Sequence, residues 1–288
     1  MVNPWGHAFD DWGTSFQTDG AGDGGIYYVF PGAAFASAVG YDRVLNGLNP
    51  GSPKYCGLEI VGGRHLPDEW QGNAITNDFR ANRVVRYQLI DEKGTFVSKQ
   101  MPDVITSTDT AFRPIDVKMG PDGAIYIADW YNPIINHGEV DFRDPRRDKT
   151  RGRIWRLTAK GRPLVEKPKL VGAPIQSVLD QLKSPEGWTR HQAKLVLRHL
   201  IRGTGLQPML REEAHGLQTR GTELTTALAE WVTKLDPNDP RFEHYRLEAL
   251  WAYQTLDTPE PKLLGELLNS KTPQVRAAAT RRSSSPIW

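Results

Sequence analysis

The chain has 288 residues, enough for two domains, and its formal net charge of +2 gives no reason to expect a nucleic-acid surface. No stretch approaches the length of a membrane-spanning apolar helix, and the first residues lack the basic and apolar regions of a signal peptide. The single cysteine, Cys56, cannot form an internal disulfide or a Cys-x-x-Cys-His haem site, so a buried, small hydrophobic role is expected.

Three segments in the first half share one sequence pattern. In each, a short run of alternating apolar residues ends at an Asp, and a second strand-like run follows. The first runs are residues 15–19, 73–78 and 124–129, and the second runs are residues 26–30, 83–89 and 152–158. The Asp positions lie about 50–60 residues apart, which is typical of four-stranded propeller blades. The pattern predicts about three blades of a β-propeller over residues 1–160, with hairpin turns at residues 91–94 and 120–123.

The predicted propeller is incomplete, because a propeller closes into a ring that protects its edge strands. Three blades therefore predict that the sequence is a piece of a larger protein. The last residues, 281–288, place a Pro and three Ser where a helix would continue, which predicts a truncation or a change of reading frame.

The composition changes after residue 160. Residues 161–173 are rich in Pro, Gly and Lys and are predicted to form a linker, and residues 174–288 carry apolar residues at helical spacing. A phrase with an Arg three residues before an Ala occurs at Arg190, Arg246 and Arg276. The recurrence predicts a HEAT-like α-helical solenoid in which each Arg braces the turn between helices.

The glycine-rich residues 20–25 match G-x-G-x-x-G but do not indicate a nucleotide site. The dinucleotide fingerprint needs a helix after the glycines, and a strand-like run follows here. Asp19 and Asp23 are weak calcium-ligand candidates, because their spacing fits no complete calcium loop.

The densest polar and aromatic cluster begins where the third predicted strand ends. Its members are Asp129, Trp130, Tyr131, Asn132, His137, Arg143 and Arg147. A histidine suits a general base, an arginine suits an anion, and the aromatic rings suit stacking on a sugar or a planar cofactor. The alternative is a structural corner, in which Asp caps the turn, Trp packs between blades and Arg pairs with Asp.

Other candidates lie in the predicted turns of the first two blades. His65 and His7 are possible channel-facing bases, and Asp78 and Arg80 lie in a polar turn that is able to reach a substrate. Residues 143–162 hold nine basic residues against two acidic ones. This segment is interpreted either as a self-paired blade edge or as a loop facing a carboxylate or sulfate substrate.

Several motifs, taken together and in order, resemble the membrane-bound dehydrogenase family of planctomycete-type bacteria. They lie at residues 3–7, 18–22, 57–60, 63–67, 70–72, 76–80, 112–114, 120–123, 129–133, 141–145 and 152–156. The resemblance covers residues 3 to about 165, and the helical half resembles the HEAT-like region that follows in that family.

The resemblance implies a propeller similar to those of quinoprotein sugar and sorbosone dehydrogenases, which use pyrroloquinoline quinone and calcium. It implies export to the periplasm or cell envelope, a sugar or polysaccharide-derived substrate, and a cytochrome c-type electron acceptor. Family members often carry a haem c domain, whose motif this sequence lacks, and the resemblance implies that the first blades of the propeller lie outside this sequence.

If the resemblance holds, a histidine takes the hydroxyl proton while hydride passes to the quinone, and an arginine stabilises the reduced quinone oxygens. His65 or His137 is the expected base, and Arg113 or Arg143 the expected electrostatic partner. The alternative function is a non-catalytic carbohydrate-binding or protein-interaction scaffold.

Overall fold

The structure, a computed structural model, describes residues 3–21, 24–30, 33, 47–49, 53–136, 138–202 and 211–283. It divides into two units, Met1–Glu166 and Lys167–Trp288, and the division falls within the segment predicted as a linker. The first unit is built of strands and the second of helices, which confirms the predicted change from β to α. None of the described helices has both the length and the apolar character needed to cross a membrane.

The β unit contains three antiparallel sheets whose strands follow chain order. The first sheet contains β1 (Pro4–Phe9), β2 (Ser15–Asp19) and β3 (Ile26–Val29). The second contains β4 (Tyr55–Ile60), β5 (Ala74–Asp78), β6 (Arg83–Glu92), β7 (Thr95–Gln100) and β8 (Ile105–Thr106). The third contains β9 (Pro114–Met119), β10 (Ile125–Asp129) and β11 (Arg153–Leu157). Successive up-and-down sheets are consistent with a partial, propeller-like β fold.

The predicted strand pairs are confirmed in all three sheets, since β2 pairs with β3, β5 with β6, and β10 with β11. The strand numbers differ from the predicted four per sheet. In the second sheet β7 pairs with residues 87–92 of the long strand β6, and β8 pairs with residues 83–84 of the same strand. One outer strand is thus replaced by two short ones. Most of the segment after β3 lies outside the described residues.

Two apolar clusters hold the three sheets together. The cluster between the first and second sheets contains Ala8, Phe16, Ile26, Tyr55, Leu58, Ala74, Val85 and Tyr87. The cluster between the second and third sheets contains Val61, Leu66, Ile75, Val84, Phe112, Val117, Ile125 and Ile127. The middle sheet is therefore covered on both sides, and its strand β5 is buried along its whole length.

The first strands of the three sheets approach one another closely at glycines. Gly57 forms a bulge in β4 with a φ of +62°, a conformation that side chains with a Cβ rarely adopt. A Cβ at this position would lie 2.7 Å from the Cα of Asp116 and 2.9 Å from the Nδ2 of Asn77. A Cβ at Gly6 of β1 would in turn clash with the carbonyl carbon of Gly57.

Replacement of Gly57 by Ala is expected to destabilise the β unit by about 2–4 kcal/mol, because it combines a left-handed backbone with a backbone contact that must move apart. Denaturant unfolding followed by hydrogen exchange in the β unit measures the change. Gly62→Ala is the matched control, since a Cβ there meets open space. Equal stability of the two variants would contradict the prediction.

The helical unit contains six described α-helices and one short 3-10 helix, Gln181–Lys183. The α-helices are α1 (Ile175–Asp180), α2 (Gly187–Arg202), α3 (Arg211–Thr233), α4 (Phe242–Thr255), α5 (Pro261–Leu268) and α6 (Pro273–Ser283). Apolar residues at helical spacing form the core of this unit, and they include the buried residues Val178, Leu182, Leu197, Leu228 and Leu250. Helix α4 packs against α2, α3, α5 and α6.

The predicted bracing of inter-helix turns is confirmed at two of three arginines. Arg190 Nη1 donates to the carbonyls of Ser184 and Pro185 at 2.8 and 3.0 Å. Arg276 Nη1 makes the equivalent bonds to residues 270 and 271 at 2.7 and 3.1 Å. Arg246 instead pairs with Glu243 and Glu266. The two matching turns show an internal repeat, and its assignment to the HEAT class stays a prediction.

The histidines of the helical half differ in burial. The ring of His244 is only 4% exposed, lies edge-on to Trp251 and contacts the guanidinium of Arg241 at 3.2 Å. His191 and His199 are exposed. The position of His244 on α4, next to the buried middle of the helical unit, explains its burial.

Candidate functional site

The strand-end face is the end of the β unit at which β2, β5 and β10 finish with Asp19, Asp78 and Asp129. Contacts between sheets show that these ends lie together. The ring of Trp5, at the start of β1, lies 5.8 Å from the ring of Phe79, which follows β5. The carbonyl of Phe79 in turn accepts a hydrogen bond from Arg113, which precedes β9.

Two of these carboxylates accept hydrogen bonds from backbone N–H groups, so these oxygens are not left free for a ligand. Asp129 Oδ1 accepts from the backbone N–H groups of Arg113 and Tyr131 at 2.8 and 2.9 Å, and its Oδ2 accepts from Trp155 Nε1 at 3.0 Å. Asp19 Oδ1 accepts from the backbone of Ala21 at 2.7 Å and of Asn3 at 3.3 Å. These contacts are those of the predicted structural corner, in which Asp caps the turn.

Asp78 belongs to an ion-pair group at the same face. Its Oδ2 accepts from Arg83 Nη2 at 3.1 Å, and Arg83 also contacts Asp103 at 3.3 Å. Its Oδ1 accepts from the backbone of Ala81, which fixes the turn that carries Arg80. These contacts stabilise the turn after β5, and a role of Asp78 in binding stays a prediction.

Arg113 is the central element of the strand-end face. Its side chain is buried, and its guanidinium donates to the carbonyls of Phe79 and Asn132 at 2.8 and 2.9 Å. Further bonds reach the carbonyls of Arg80 at 3.4 Å and Pro133 at 3.2 Å. Burial lowers the pKa of this guanidinium, but its ordinary value is so high that it stays charged. One buried cation thus fixes the loop after β5 to the loop after β10.

The loop after β10 combines an unusual backbone with stacked side chains. Tyr131 has a φ of +53°, and the guanidinium of Arg153 lies 3.6 Å from the centre of its ring. Asn132 is buried, accepting from the backbone of Ile134 and donating to the carbonyl of Asp148. The indole of Trp130 is 40% exposed, so it is the aromatic ring of this loop that is open to a ligand.

The structure separates the predicted cationic residues into two kinds. Arg147 holds its own loop, donating to the carbonyls of Asn136, Val140 and Asp141. Arg80 and Arg143 are exposed, and within the described ranges neither guanidinium has a polar side-chain or backbone partner. Arg80 and Arg143 are therefore the predicted cations available to an anion.

Most of the basic segment 143–162 is self-paired, as the first of its two interpretations expects. Each pair joins an arginine to a nearby aspartate, and the pairs are Arg146–Asp144, Arg151–Asp148, Arg156–Asp122 and Arg162–Asp68. Hydrogen bonds from Arg146 hold the pKa of the Asp144 carboxyl at about 2. The anion-facing interpretation is left with Arg143, Lys149 and Lys160, which are all exposed.

His65 lies at the opposite end of the β unit from Arg113. Its ring is 1% exposed, its Nδ1 lies 2.8 Å from the carbonyl of Pro163, and its Nε2 accepts from the backbone of Ala159 at 3.0 Å. The length of β9 separates this ring from Arg113 by about 17 Å. His65 is therefore not beside its predicted electrostatic partner, and both ring nitrogens are occupied in fastening residues 159–163.

Two predicted residues, His137 and Asp23, lie outside the described residues. His7 is exposed on β1, and its Nε2 lies 2.9 Å from the hydroxyl of Ser15. Burial and the nearby Lys118 ammonium lower the pKa of His7, which keeps the ring neutral near pH 7. Within the described ranges no group of three His, Cys, Asp or Glu residues is placed to hold a metal ion.

The sequence analysis did not single out the polar residues on the first strands of the second and third sheets. Glu59 accepts from the backbone of Met119 at 3.0 Å, and burial raises the pKa of its carboxyl. Lys118 donates to the carbonyl of Leu58 at 2.9 Å. Both residues join β4 to β9. Their role depends on contacts across about 60 residues of sequence, so no local motif marks them.

Comparison with known proteins gives a family match and several distant structures. A domain of unknown function, DUF7133, matches residues 27–161, slightly less than half of the chain. No curated protein matches the chain.

Three of the solved structures similar to this chain are described as glucose dehydrogenases, at low similarity. One, described as an oxidoreductase (glucose dehydrogenase) from Thermus thermophilus, is 21% identical with a TM-score of 0.38, covering 54% of this chain and 44% of that chain. Two others, described as glucose dehydrogenase, are 19% and 18% identical with TM-scores of 0.34 and 0.33. They cover 55% of this chain each, and 40% and 45% of their own. The chain thus spans less than half the length of these structures, and likeness at this level assigns no activity to it.

Proposed function

We propose that this chain forms part of a quinone-dependent dehydrogenase of sugars or related alcohols, and that its strand-end face binds the quinone. The observation that carries the proposal is the buried Arg113, which fixes two loops of that face and leaves Arg80 exposed. The ordered motifs that resemble the membrane-bound dehydrogenase family support the reaction class.

The chemistry of the exposed residues fits an anionic, planar cofactor. Pyrroloquinoline quinone carries carboxylates on a flat ring system, so it needs cations for the carboxylates and aromatic surface for the ring. Arg80, Arg143 and Trp130 meet these needs, because all three are exposed. Calcium does not fit the described residues, since no metal-ligating group is present among them and Asp19 holds backbone N–H groups.

When bound, the quinone supplies the acceptor for the hydride that leaves the substrate. In the proposal Arg80 and Arg143 would hold its carboxylates, and the indole of Trp130 would supply aromatic surface for its ring. The base that takes the hydroxyl proton is His137, which belongs to the same sequence segment as Asn132 and Arg143. His65 is not used, because its ring nitrogens are occupied and distant from this face.

The proposed substrate, electron acceptor and location follow from the resemblance to the dehydrogenase family and not from the geometry of the site. The substrate is a sugar or a small molecule derived from a polysaccharide, and the electrons pass to a cytochrome c-type acceptor. The protein that contains this chain then works in the periplasm or cell envelope.

Replacement of Arg80 by Gln is expected to weaken binding of pyrroloquinoline quinone about tenfold or more, because it removes a charge-assisted bond to a carboxylate. Quenching of tryptophan fluorescence during titration of the purified chain measures the affinity, with and without calcium. Arg162→Gln is the control, because Arg162 is paired with Asp68 at the other end of the β unit. Absence of saturable binding, or equal affinity of the two variants, would count against the proposed site.

A non-catalytic, carbohydrate-binding function is the second candidate. Three partly exposed tryptophans favour it, since Trp5, Trp130 and Trp155 are 49%, 40% and 43% exposed and all lie at the strand-end face. Exposed indoles are suitable platforms for sugar rings. Retention on immobilised glycan without reduction of an electron-acceptor dye would favour this candidate over the dehydrogenase.

A further inference from the structure

Tyr131 is held in a backbone conformation that an aromatic residue rarely adopts. Within the described ranges the other non-glycine residues with a positive φ are Asn82, Lys93 and Asp257. Asn and Asp tolerate this region, and Lys93 lies in the two-residue turn between β6 and β7, where hairpin geometry requires it. The N–H of Tyr131 donates to Asp129 Oδ1 at 2.9 Å, which holds the strained turn. Strain at an aromatic residue of the candidate site indicates that the ring is needed at this position.

The ring of Tyr131 belongs to a layered group of side chains. The guanidinium carbon of Arg153 lies 3.6 Å from the centre of the Tyr131 ring and 5.8 Å from that of Trp155. Arg153 and Trp155 lie on the same side of β11, because they are two residues apart in the strand. We refer to Tyr131, Arg153 and Trp155 as the arginine stack.

The guanidinium of Arg153 keeps N–H groups that its neighbours do not use. Stacking occupies the flat face of a guanidinium and leaves its five N–H donors along the edge. Among the described residues, Asp129 is the carboxylate in ion-pair range, and its Oδ2 lies 3.8 Å from Arg153 Nη1 and already accepts from Trp155 Nε1. The Tyr131 hydroxyl, and after it the Asp129 and Asp109 carboxylates, raise the pKa of Arg153, so the side chain stays charged. Arg153, whose side chain is 37% exposed, is thus a fixed cation open to a ligand.

Arg151 shows the contrast on the same ring. Its guanidinium carbon lies 5.3 Å from the centre of the Tyr131 ring, and its Nε donates to Asp148 Oδ2 at 2.6 Å. The charge of Arg151 is therefore balanced by a close carboxylate, as in the other paired arginines of residues 143–162. Of the two cations at the Tyr131 ring, Arg153 is the one available to an external anion.

We propose that the arginine stack binds the anionic group of an acidic sugar, a carboxylate or a sulfate, while the sugar ring packs on the indole of Trp155. Two oxygens of either anion match two parallel N–H groups on the edge of one guanidinium. The indole is 43% exposed and offers a flat apolar surface to a sugar ring. Its own N–H is bonded to Asp129 at 3.0 Å, so the indole is fixed before a ligand arrives.

The inference names the substrate class of the proposed dehydrogenase, and it rests on that proposal for the reaction but not for the binding. The quinone is assigned to Arg80, Arg143 and Trp130, so Arg153 is left for the substrate. Trp130 directly precedes Tyr131, and the two ligands are therefore held by neighbouring residues of one loop.

Isothermal titration calorimetry of the purified chain with glucuronate, glucose 6-sulfate and glucose tests the inference, without and with pyrroloquinoline quinone. At least one acidic sugar should bind about tenfold or more tightly than glucose, because it gains charge-assisted hydrogen bonds. The two acidic sugars distinguish a carboxylate from a sulfate. The preference should shrink as NaCl is added, since the cation is partly exposed. Acetate and free sulfate should bind more weakly than the sugars, and equal binding would contradict the role of Trp155.

Three variants locate the binding. Arg153→Gln should abolish the preference for the acidic sugar, whereas Arg151→Gln, which removes an equal charge from a paired side chain, should keep it. Tyr131→Gly suits the left-handed backbone, so it should lower the affinity for the acidic sugar without lowering the thermal midpoint. A ring with a purely structural role would instead lower the midpoint and leave the affinity unchanged.

Quinone titrations of the same samples keep the two proposals apart. Acidic-sugar binding that depends on Arg153 would support the arginine stack even if the quinone did not bind. A wild type without preference for either acidic sugar, with and without quinone, would overturn the inference while leaving the quinone site standing. Equal effects of Arg153→Gln and Arg151→Gln would also overturn it, as would an Arg153→Gln variant that weakens the quinone and not the sugars.

Discussion

Replacement of Arg113 by Met is expected to destabilise the β unit by about 3–5 kcal/mol, because buried carbonyl groups lose a charged donor and each unsatisfied acceptor costs about 1–3 kcal/mol. The guanidinium of Arg113 bonds to carbonyls in two loops, residues 79–80 and residues 132–133. Methionine fills much of the same volume without any donor. The loss therefore reports the hydrogen bonds rather than a cavity.

The matched control for Arg113 is its neighbour in the same face. Arg80→Met removes the same side chain from an exposed position, and a change of about 0.5 kcal/mol or less is expected. Native-state hydrogen exchange resolves the β unit from the helical unit, so the loss can be assigned to one of them. Equal effects at the two positions would show that the carbonyl contacts of Arg113 contribute little.

Comparison of Arg113→Met with Arg80→Gln also separates two roles at the proposed quinone site. Arg80 is proposed to touch the cofactor, whereas Arg113 acts by positioning the loops that carry Arg80 and Trp130. Arg80→Gln should therefore weaken quinone binding without loss of stability. Arg113→Met should change both, and exchange should rise in residues 79–82 and 129–133. If Arg113→Met lowered the affinity with no change in the exchange of these loops, the positioning role of Arg113 would be contradicted.

The strands were predictable because their signal is local. Alternating apolar residues followed by an Asp marked β2, β5 and β10 correctly, and the Pro-Asp-Gly turn marked the hairpin between β9 and β10. The φ of +79° at Gly123 explains why glycine stands in that turn. Periodicity and turn chemistry act over a few residues, so a single sequence contains them.

The roles of the site residues were less predictable, because the sequence does not show which backbone groups need a partner. Arg113 was expected to face the quinone and instead bonds to carbonyls in two loops. His65 was expected to be a base, and its partners lie more than 90 residues away in sequence. Nearly all residues have the same backbone carbonyl and N–H groups. A side chain that bonds to backbone groups distant in sequence is therefore not marked by a local motif.

In the helical unit the roles of two arginines were predictable, because the repeated segment contains both the arginine and the carbonyl that it binds. Arg190 and Arg276 each lie six residues after the carbonyl that they bind, so the spacing within the phrase sets the contact. Arg246 is the fifth residue of its helix, whereas Arg190 and Arg276 are each the fourth residue of theirs. Its different partners, Glu243 and Glu266, follow from that local difference.

Replacement of Glu248 by Ala is expected to destabilise the helical unit by about 3–5 kcal/mol, because it leaves two buried cations without their carboxylate. Glu248 is 2% exposed, and its Oε1 accepts from Arg190 Nε at 2.8 Å. Its Oε2 accepts from Lys194 Nζ. Glu260→Ala is a control on the same unit, since no ion pair of Glu260 is present among the described residues.

The same carboxylate makes the stability of the helical unit depend on pH. Burial alone raises the pKa of Glu248, but the Lys194 ammonium and Arg190 guanidinium outweigh it, with a smaller effect from His244, and the net pKa is lowered. A carboxyl with a lowered folded pKa stabilises the unit above its unfolded pKa of about 4.5, and the stabilisation is lost as the pH falls through the folded value. Hydrogen exchange of α2 and α4 between about pH 6 and pH 3 should show this loss in the wild type. Glu248→Gln keeps the shape but cannot titrate, so its stability should be lower at pH 6 and should converge on that of the wild type as the acid is added; parallel curves would rule out Glu248 as the titrating group.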